Sequence, residues 1–302
     1  MLYFLQQLLN GLHIGALYAV LAFGYALTNG VLRRTNLAYG AVFAFCGQAL
    51  ILVAVFGWQV LWLNLFATLA LGIVVSVLYA ALVSRVLSRN VLAPLASRSP
   101  NAIVTATLGS ALVLGELGRL AADTRDFWLP PLLQAPVTFA VGDDGFRVTL
   151  TGLQIVNVAL MAATLLLGSW ALARSSAGRR WHAVCDDPGA AALCGVDTGR
   201  VFHGAVLAGA LAAALAGALA ALYYGNISFG TGMVFGLKVL FIAAVGGYLS
   251  PARSAIGAAA FGMGEALWSG YFPIEWRDAW MFAFLVALLV LDPRRDLARN
   301  PG

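Results

Sequence analysis

Lys238 and Glu265 are the first residues to ask chemistry of, because each stands alone in a long apolar stretch. An ionised side chain inside a bilayer costs at least roughly 2.5–3.5 kcal/mol on insertion scales, so it faces a partner or a watery path. The two either pair as a structural anchor or line a solute route. Glu116 and Arg119 stand at i and i+3, the spacing of a local ion pair on a helix. Asn36 and Tyr39 open the second apolar stretch, where Asn36 either caps a helix or lines an inner gate. His13, in the first stretch, reads as a satisfied packing residue rather than a ligand. No bond-making constellation is present: there is no GxxxxGK[ST] loop, no His-Glu-x-x-His, no Gly-x-Ser-x-Gly and no paired intramembrane Asp. Cys46, Cys185 and Cys194 lack metal-ligand spacing and read as apolar fillers or free thiols. The chain is therefore expected to be no enzyme, to hold no cofactor or metal, and not to bind ATP itself.

The stretch 178–197 carries a different kind of chemistry. Asp187 suits a helix N-cap, Pro188 the first helical position and Gly195 a left-handed stop, with Ala190, Ala191, Ala192 and Leu193 between them. The product is a helix of about two turns, too short to stand alone in water. It needs a surface, either a groove on a soluble partner or the flank of the protein itself.

These residues must be held by elements that the composition already defines. Of 302 residues, 61% are hydrophobic and 10% charged, with mean hydropathy +0.87; a soluble domain carries about 25% charged residues. Long runs without charge, including 1–32, 35–84, 148–173 and 201–237, exceed the about 20 residues that one crossing needs. The expected fold is an all-α polytopic transmembrane bundle, a single domain over 1–302, with about nine spans at 5–28, 37–55, 59–83, 102–121, 152–172, 201–223, 233–247, 254–271 and 279–291. The second and third divide at Gly57-Trp58, and the seventh and ninth are short. The first run lacks a basic leader and reads as a span, not a cleaved signal. Small residues on the sixth span (Gly204, Ala208, Ala212, Ala213, Gly217 and Ala220) suit close helix packing. Gly246-Gly247 beside Ser250-Pro251 is expected to break the helix and reverse the chain.

Alternating the loops puts Arg33, Arg34, Arg85, Arg89, Arg98, Arg174, Arg179, Arg180, Arg200, Arg253, Arg294, Arg295 and Arg299 on one side, and only Arg119, Arg125, Arg147 and Arg277 on the other. Cytoplasmic loops collect Arg and Lys, so the N-terminus is expected outside and the C-terminus inside. The net charge of +5 then belongs to loop anchors facing membrane lipid. No basic stripe with interleaved aromatics exists, and nucleic-acid binding is not expected. The external loop, 123–151, holds two β-rich runs around Gly142-Asp143-Asp144-Gly145, the pattern of a hairpin. The internal loop is 173–200.

Gly178-Arg179, Asp186-Asp187, Ala190-Ala191 and Leu193-Cys194-Gly195-Val196 resemble the cytoplasmic coupling loop of the branched-chain amino-acid ABC transporter permeases, with Trp181 and His182 departing from the family's Arg-Ala. Leu9-Asn10-Gly11 with Gly15-Ala16-Leu17-Tyr18-Ala19 is similar to that family's first span. Asn36-Leu37-Ala38-Tyr39-Gly40 is similar to its Asn-Phe-Ala-His-Gly segment, with Tyr39 in place of His. Gly236-Leu237-Lys238, Ala243-Ala244-Val245-Gly246-Gly247, Gly257 and Gly264-Glu265-Ala266-Leu267 resemble its closing signature. The resemblance implies a bacterial inner-membrane permease for branched-chain or other hydrophobic amino acids, with relatives that carry urea or short amides. It implies two cytosolic ATPase subunits that bind the ATP, a sister permease or second copy, and a periplasmic solute-binding protein. Asp186, Asp187, Ala190, Ala191 and Gly195 would couple to the ATPase, and Asn36, Tyr39, Lys238 and Glu265 are candidates for the path or gate. An ion-coupled secondary transporter is the rival of another class, and it would hold more intramembrane acids than Glu265 and Glu116.

Overall fold

The computed structural model describes residues 2–96, 100–142, 145–228, 230–246 and 250–291. Arg98, Asp143, Asp144, Gly247, Arg294, Arg295 and Arg299 lie outside them.

The chain is mostly helical. In order come α1 (Leu2–Leu32), α2 (Ala38–Gln59), α3 (Leu65–Val86), a π-helical turn (Leu87–Leu92), α4 (Ala93–Ala96) and α5 (Pro100–Ala121). A two-stranded sheet follows, β1 (Pro136–Val141) and β2 (Arg147–Thr151), then α6 (Gly152–Arg174), α7 (Ser176–Asp186), α8 (Pro188–Leu193) and α9 (Thr198–Tyr224). The chain continues through α10 (Thr231–Gly246), α11 (Pro251–Tyr271), a 3-10 turn (Ile274–Trp276) and α12 (Arg277–Leu291). Among the described residues six helices are long and apolar enough to cross a membrane: α1, α2, α3 with its continuation, α5, α6 and α9. At 16 and 15 residues, α10 and α12 fall below the about 20 residues of a typical crossing. The 21-residue α11 carries Arg253 and Glu265 and packs along α1, its most extensive partner.

The centre of the bundle is α1, α2 and α9, whose small residues bring backbones together. Apolar lipid offers helices no hydrophobic gain on pairing, so association rests on close contact and interhelical hydrogen bonds. Where α2 meets α10, a Cβ on Gly40 would fall 2.2 Å from the Gly232 carbonyl oxygen and 2.3 Å from Gly236 Cα. Around this centre α3, α5 and α6 turn large apolar side chains outward, among them Leu78, Leu112 and Leu166.

Three expectations need correction. The second helix does not break at Gly57-Trp58. It runs on to Gln59, and Gly57 instead packs against Thr68. The next helix starts at Leu65 because the Asn64 side chain accepts from Ala67 N at 2.9 Å, a cap that overrides the apolar pattern. On α9, Ala212, Ala213, Gly217 and Ala220 are buried as expected, Gly217 closing on Phe43, and Gly209 adds a close approach to Gly24, but Gly204 and Ala208 are exposed and do not join this face. His13 is buried against Tyr223, ring centroids 4.1 Å apart, yet among the described residues neither ring nitrogen has a hydrogen-bond partner.

The hairpin forms in antiparallel register, Val137 opposite Leu150 and Val141 opposite Arg147, with an irregularity between Thr138 and Ala140. It sits over the start of α1, where Gln6 Nε2 donates to the Thr149 carbonyl at 2.9 Å and Gln6 Oε1 accepts from Thr149 N at 2.8 Å. The other end of α1 meets α7. The two ends of the bundle are thus marked by the hairpin and by the α7–α8 pair.

Candidate functional site

At the α7–α8 end, Asp187 Oδ1 accepts from Gly189 N at 2.7 Å and from Ala190 N at 3.1 Å. Pro188 opens α8, and Gly195 closes it with a φ of +81°. The helix has two faces. Ala191 is turned inward at 5% exposure, while Ala190 and Leu193 face out, Leu193 at 92%. The capped helix thus presents Leu193 at its outer face.

The expectation for this loop did not include α7. Ser175 caps it by accepting from Gly178 N at 3.0 Å, and its Trp181, Val184 and Cys185 face inward. Trp181 Nε1 donates to the Leu27 carbonyl of α1 at 3.0 Å, and the Arg33 guanidinium donates to the carbonyls of Cys185 and Asp186. Trp181, which departs from the family pattern, is thus the residue that fastens the loop to α1. The apolar spacing Trp181, Val184, Cys185 was the signal for a helical face. Asp186 is exposed, its carbonyl taken by Arg33.

Burial pushes the Cys185 thiol up to about 12, the nearby Asp186 carboxylate adding to it and Arg33 opposing. Cys46 is also buried and Cys194 exposed. The folded protein is expected to take one maleimide near pH 7.5, at Cys194, and three after denaturation. Intact-mass counting checks this, and rapid labelling of Cys185 in the folded state would contradict the α7 packing. Since an alkylating thiol must be ionised, Cys185 should stay silent up to pH 9.

Toward the hairpin end lies a charged cluster. Lys238 Nζ is 2.8 Å from Glu265 Oε1 and 3.0 Å from Asp278 Oδ1, and Lys238 is 3% exposed. Tyr18 Oη donates to Glu265 Oε2 at 2.8 Å. Arg277 Nε lies 3.4 Å from Glu265 Oε1 and 3.3 Å from Asp278 Oδ1. Four helices therefore converge on one electrically neutral knot: α1, α10, α11 and α12. Lys238 and Glu265 are brought together as a pair, and both also line a cavity of about 520 Å³. Sequence reasoning missed Tyr18, Arg277 and Asp278. The adjacent Arg277-Asp278 at the head of the last apolar stretch was the available signal.

Asn36 and Tyr39 are not at this cavity. Asn36 Oδ1 accepts from Ala38 N at 3.1 Å, so it holds the entry to α2. Tyr39 is buried, stacked edge-on with Tyr25, and donates to the Gly209 carbonyl of α9 at 3.2 Å. Glu116 and Arg119 form a two-pronged ion pair on the exposed face of α5. Among the described residues no group of three or more His, Cys, Asp or Glu is arranged to hold a metal.

Residues 7–290 match the family described as the permease component of the branched-chain amino acid transport system. The high-affinity branched-chain amino acid transport system permease protein LivH of Escherichia coli K12 is 30% identical, covering 99% of this chain and 96% of its own length. LivH of Salmonella typhimurium LT2 is 29% identical over the same shares. BraD of Pseudomonas aeruginosa, of the same description, is 27% identical over 98% and 96%. No solved structure matches.

Proposed function

The chain belongs to the branched-chain amino acid transport permease family, and from that premise we propose that it is the membrane-spanning subunit of an ATP-driven importer of branched-chain or similar hydrophobic amino acids. It crosses the bacterial inner membrane nine times, α10, α11 and α12 completing the bundle, with the hairpin outside and α7–α8 inside. Two cytosolic ATPase subunits supply the energy, a sister permease or second copy completes the channel, and a periplasmic binding protein delivers the solute at the hairpin end.

The observation that carries this reading is the exposed Leu193 on a helix whose other face is fastened to the bundle. Force applied at Leu193 reaches α1 through α7, by way of Trp181 and Arg33. Asp187, Ala190 and Gly195 shape the tip that the ATPase grips. Ala191 faces the protein, so it positions the tip rather than touching the partner.

The test is ATP-dependent leucine uptake by proteoliposomes holding this chain, its sister permease, the ATPases and the binding protein. Leu193→Asp is expected to cut ATPase co-purification and uptake by tenfold or more, since losing a buried interface anchor costs about 2 kcal/mol. The amount of permease in the membrane should not change. Undiminished co-purification would remove the lever from the mechanism.

A further inference from the structure

We infer that the cavity at the hairpin end is a receiving site for the zwitterion of an α-amino acid, and that Asp126 at its mouth reads the ammonium group. This rests on the importer reading and adds to it a place in the permease where cargo is recognised after it leaves the binding protein.

Five charged side chains line the cavity: Lys238, Arg277, Glu265, Asp278 and Asp126. The first four are paired with one another. Asp126 makes no ion pair among the described residues and is exposed. One carboxylate is therefore left over at the entrance of an otherwise neutral site, and it attracts a cationic group and repels an anionic one.

Ser228 Oγ and Thr231 Oγ1 are 2.9 Å apart where α10 begins, and both line the cavity. One hydroxyl hydrogen is taken up between the two, and the other, beside the N-terminus of a 16-residue helix, is left to favour a carboxylate. An ammonium at Asp126 and a carboxylate at Ser228 and Thr231 are the two ends of one zwitterion. In the same lining Ile14, Phe43, Ile227 and Phe235 provide apolar surface for an aliphatic side chain. The volume of about 520 Å³ lies in the ordinary range for sites that hold one small molecule.

The segment after α5 brings Asp126 and Trp128 to the cavity and is tied to the end of α9, Leu129 N donating to the Gly225 carbonyl at 2.9 Å. The lip that carries Asp126 is thereby held in place. A zwitterion brings no net charge into the low-dielectric interior, so it disturbs the Lys238–Glu265 pair less than a lone ion. An uncharged amide makes no ion pair with Asp126.

Photo-leucine, leucine with a diazirine in its side chain, tests the assignment in proteoliposomes holding the complete transporter. On irradiation it should label peptides carrying Trp128, Ile227 or Phe235, and excess leucine should suppress the label. The diazirine alkanoate lacking the amino group, and the Asp126→Asn protein with photo-leucine, should each label up to about fivefold less, the most that an exposed charge pair is normally worth. Asp126 is exposed, so its variant keeps the fold. Ser228→Ala with Thr231→Val should lower the label likewise. Label outside these peptides, label that leucine does not suppress, or equal labelling by the alkanoate overturns the site. Leucine uptake in the same vesicles separates the two ideas: transport without cavity label sinks the site alone, and cavity label without transport sinks the importer reading alone.

Discussion

Lys238→Met is expected to leave little folded protein in the membrane, with the surviving fraction aggregating on size-exclusion chromatography. The reason is what remains behind. Glu265 is 4% exposed, and without the ammonium it keeps only the Tyr18 hydroxyl and a guanidinium at 3.4 Å. Breaking a buried pair from one side costs about 3–5 kcal/mol, against a total stability of about 5–15 kcal/mol for an ordinary domain. Removing both charges has a smaller effect, since an apolar pair of similar volume is often tolerated. The double variant Lys238→Met with Glu265→Met leaves Arg277 and Asp278 paired with each other. It should recover most of the folded yield, though not the transport. The melting temperatures of the parent, Lys238→Met, Glu265→Met and the double variant, read in detergent, form a thermodynamic cycle that isolates the coupling. A monodisperse Lys238→Met protein melting within about 1 °C of the parent would show that the ammonium adds nothing, because a 1 kcal/mol loss already moves such a midpoint by about 2–4 °C.

The second large effect has an unusual sign. Gly-to-Ala changes inside a helix normally stabilise it by up to about 1 kcal/mol. At Gly40 the new methyl would land 2.2 Å from a carbonyl oxygen of α10, and backbone atoms cannot move aside as a flexible side chain can. Gly40→Ala is therefore expected to destabilise by about 1–3 kcal/mol, and Gly40→Leu to separate α2 from α10 and abolish uptake. Gly257 is the control. A Cβ there meets nothing within 4 Å, so Gly257→Ala should raise the melting temperature slightly. Equal shifts at the two positions would contradict the close crossing of α2 and α10.

What could be read from sequence was chemistry that closes over a few neighbouring residues. The Asp187–Pro188 start and Gly195 stop of α8 are adjacent signals, and the structure has that helix. The hairpin, too, was legible from two β-rich runs and an intervening turn. Family membership was legible because four blocks occur in order along nearly the whole chain. Failures came where a distant partner decides. Trp181 looked like a departure from a pattern until α1 was seen beneath it. Arg277 was counted as an outer-loop charge, and its ion pairs to Glu265 and Asp278 depend on how α11 and α12 meet. The placement of the α2–α3 turn was missed for a smaller reason: Trp62 and Leu63 kept the apolar run going, and one capping Asn64 ended it.

Tyr18 and Leu27 are nine residues apart on α1, roughly 14 Å along a helix. One hydroxyl holds the buried carboxylate of Glu265 and one carbonyl holds Trp181. If α1 moves as a rod, whatever favours one position at its inner end must favour the matching arrangement around Glu265. Linkage of that kind runs both ways and by equal factors. Cargo seated near Glu265 would tighten or loosen the grip of the nucleotide-bound engine on Leu193 as much as that engine changes the hold on cargo. On the importer reading, a loaded and an empty permease would then hold the engine with different affinity.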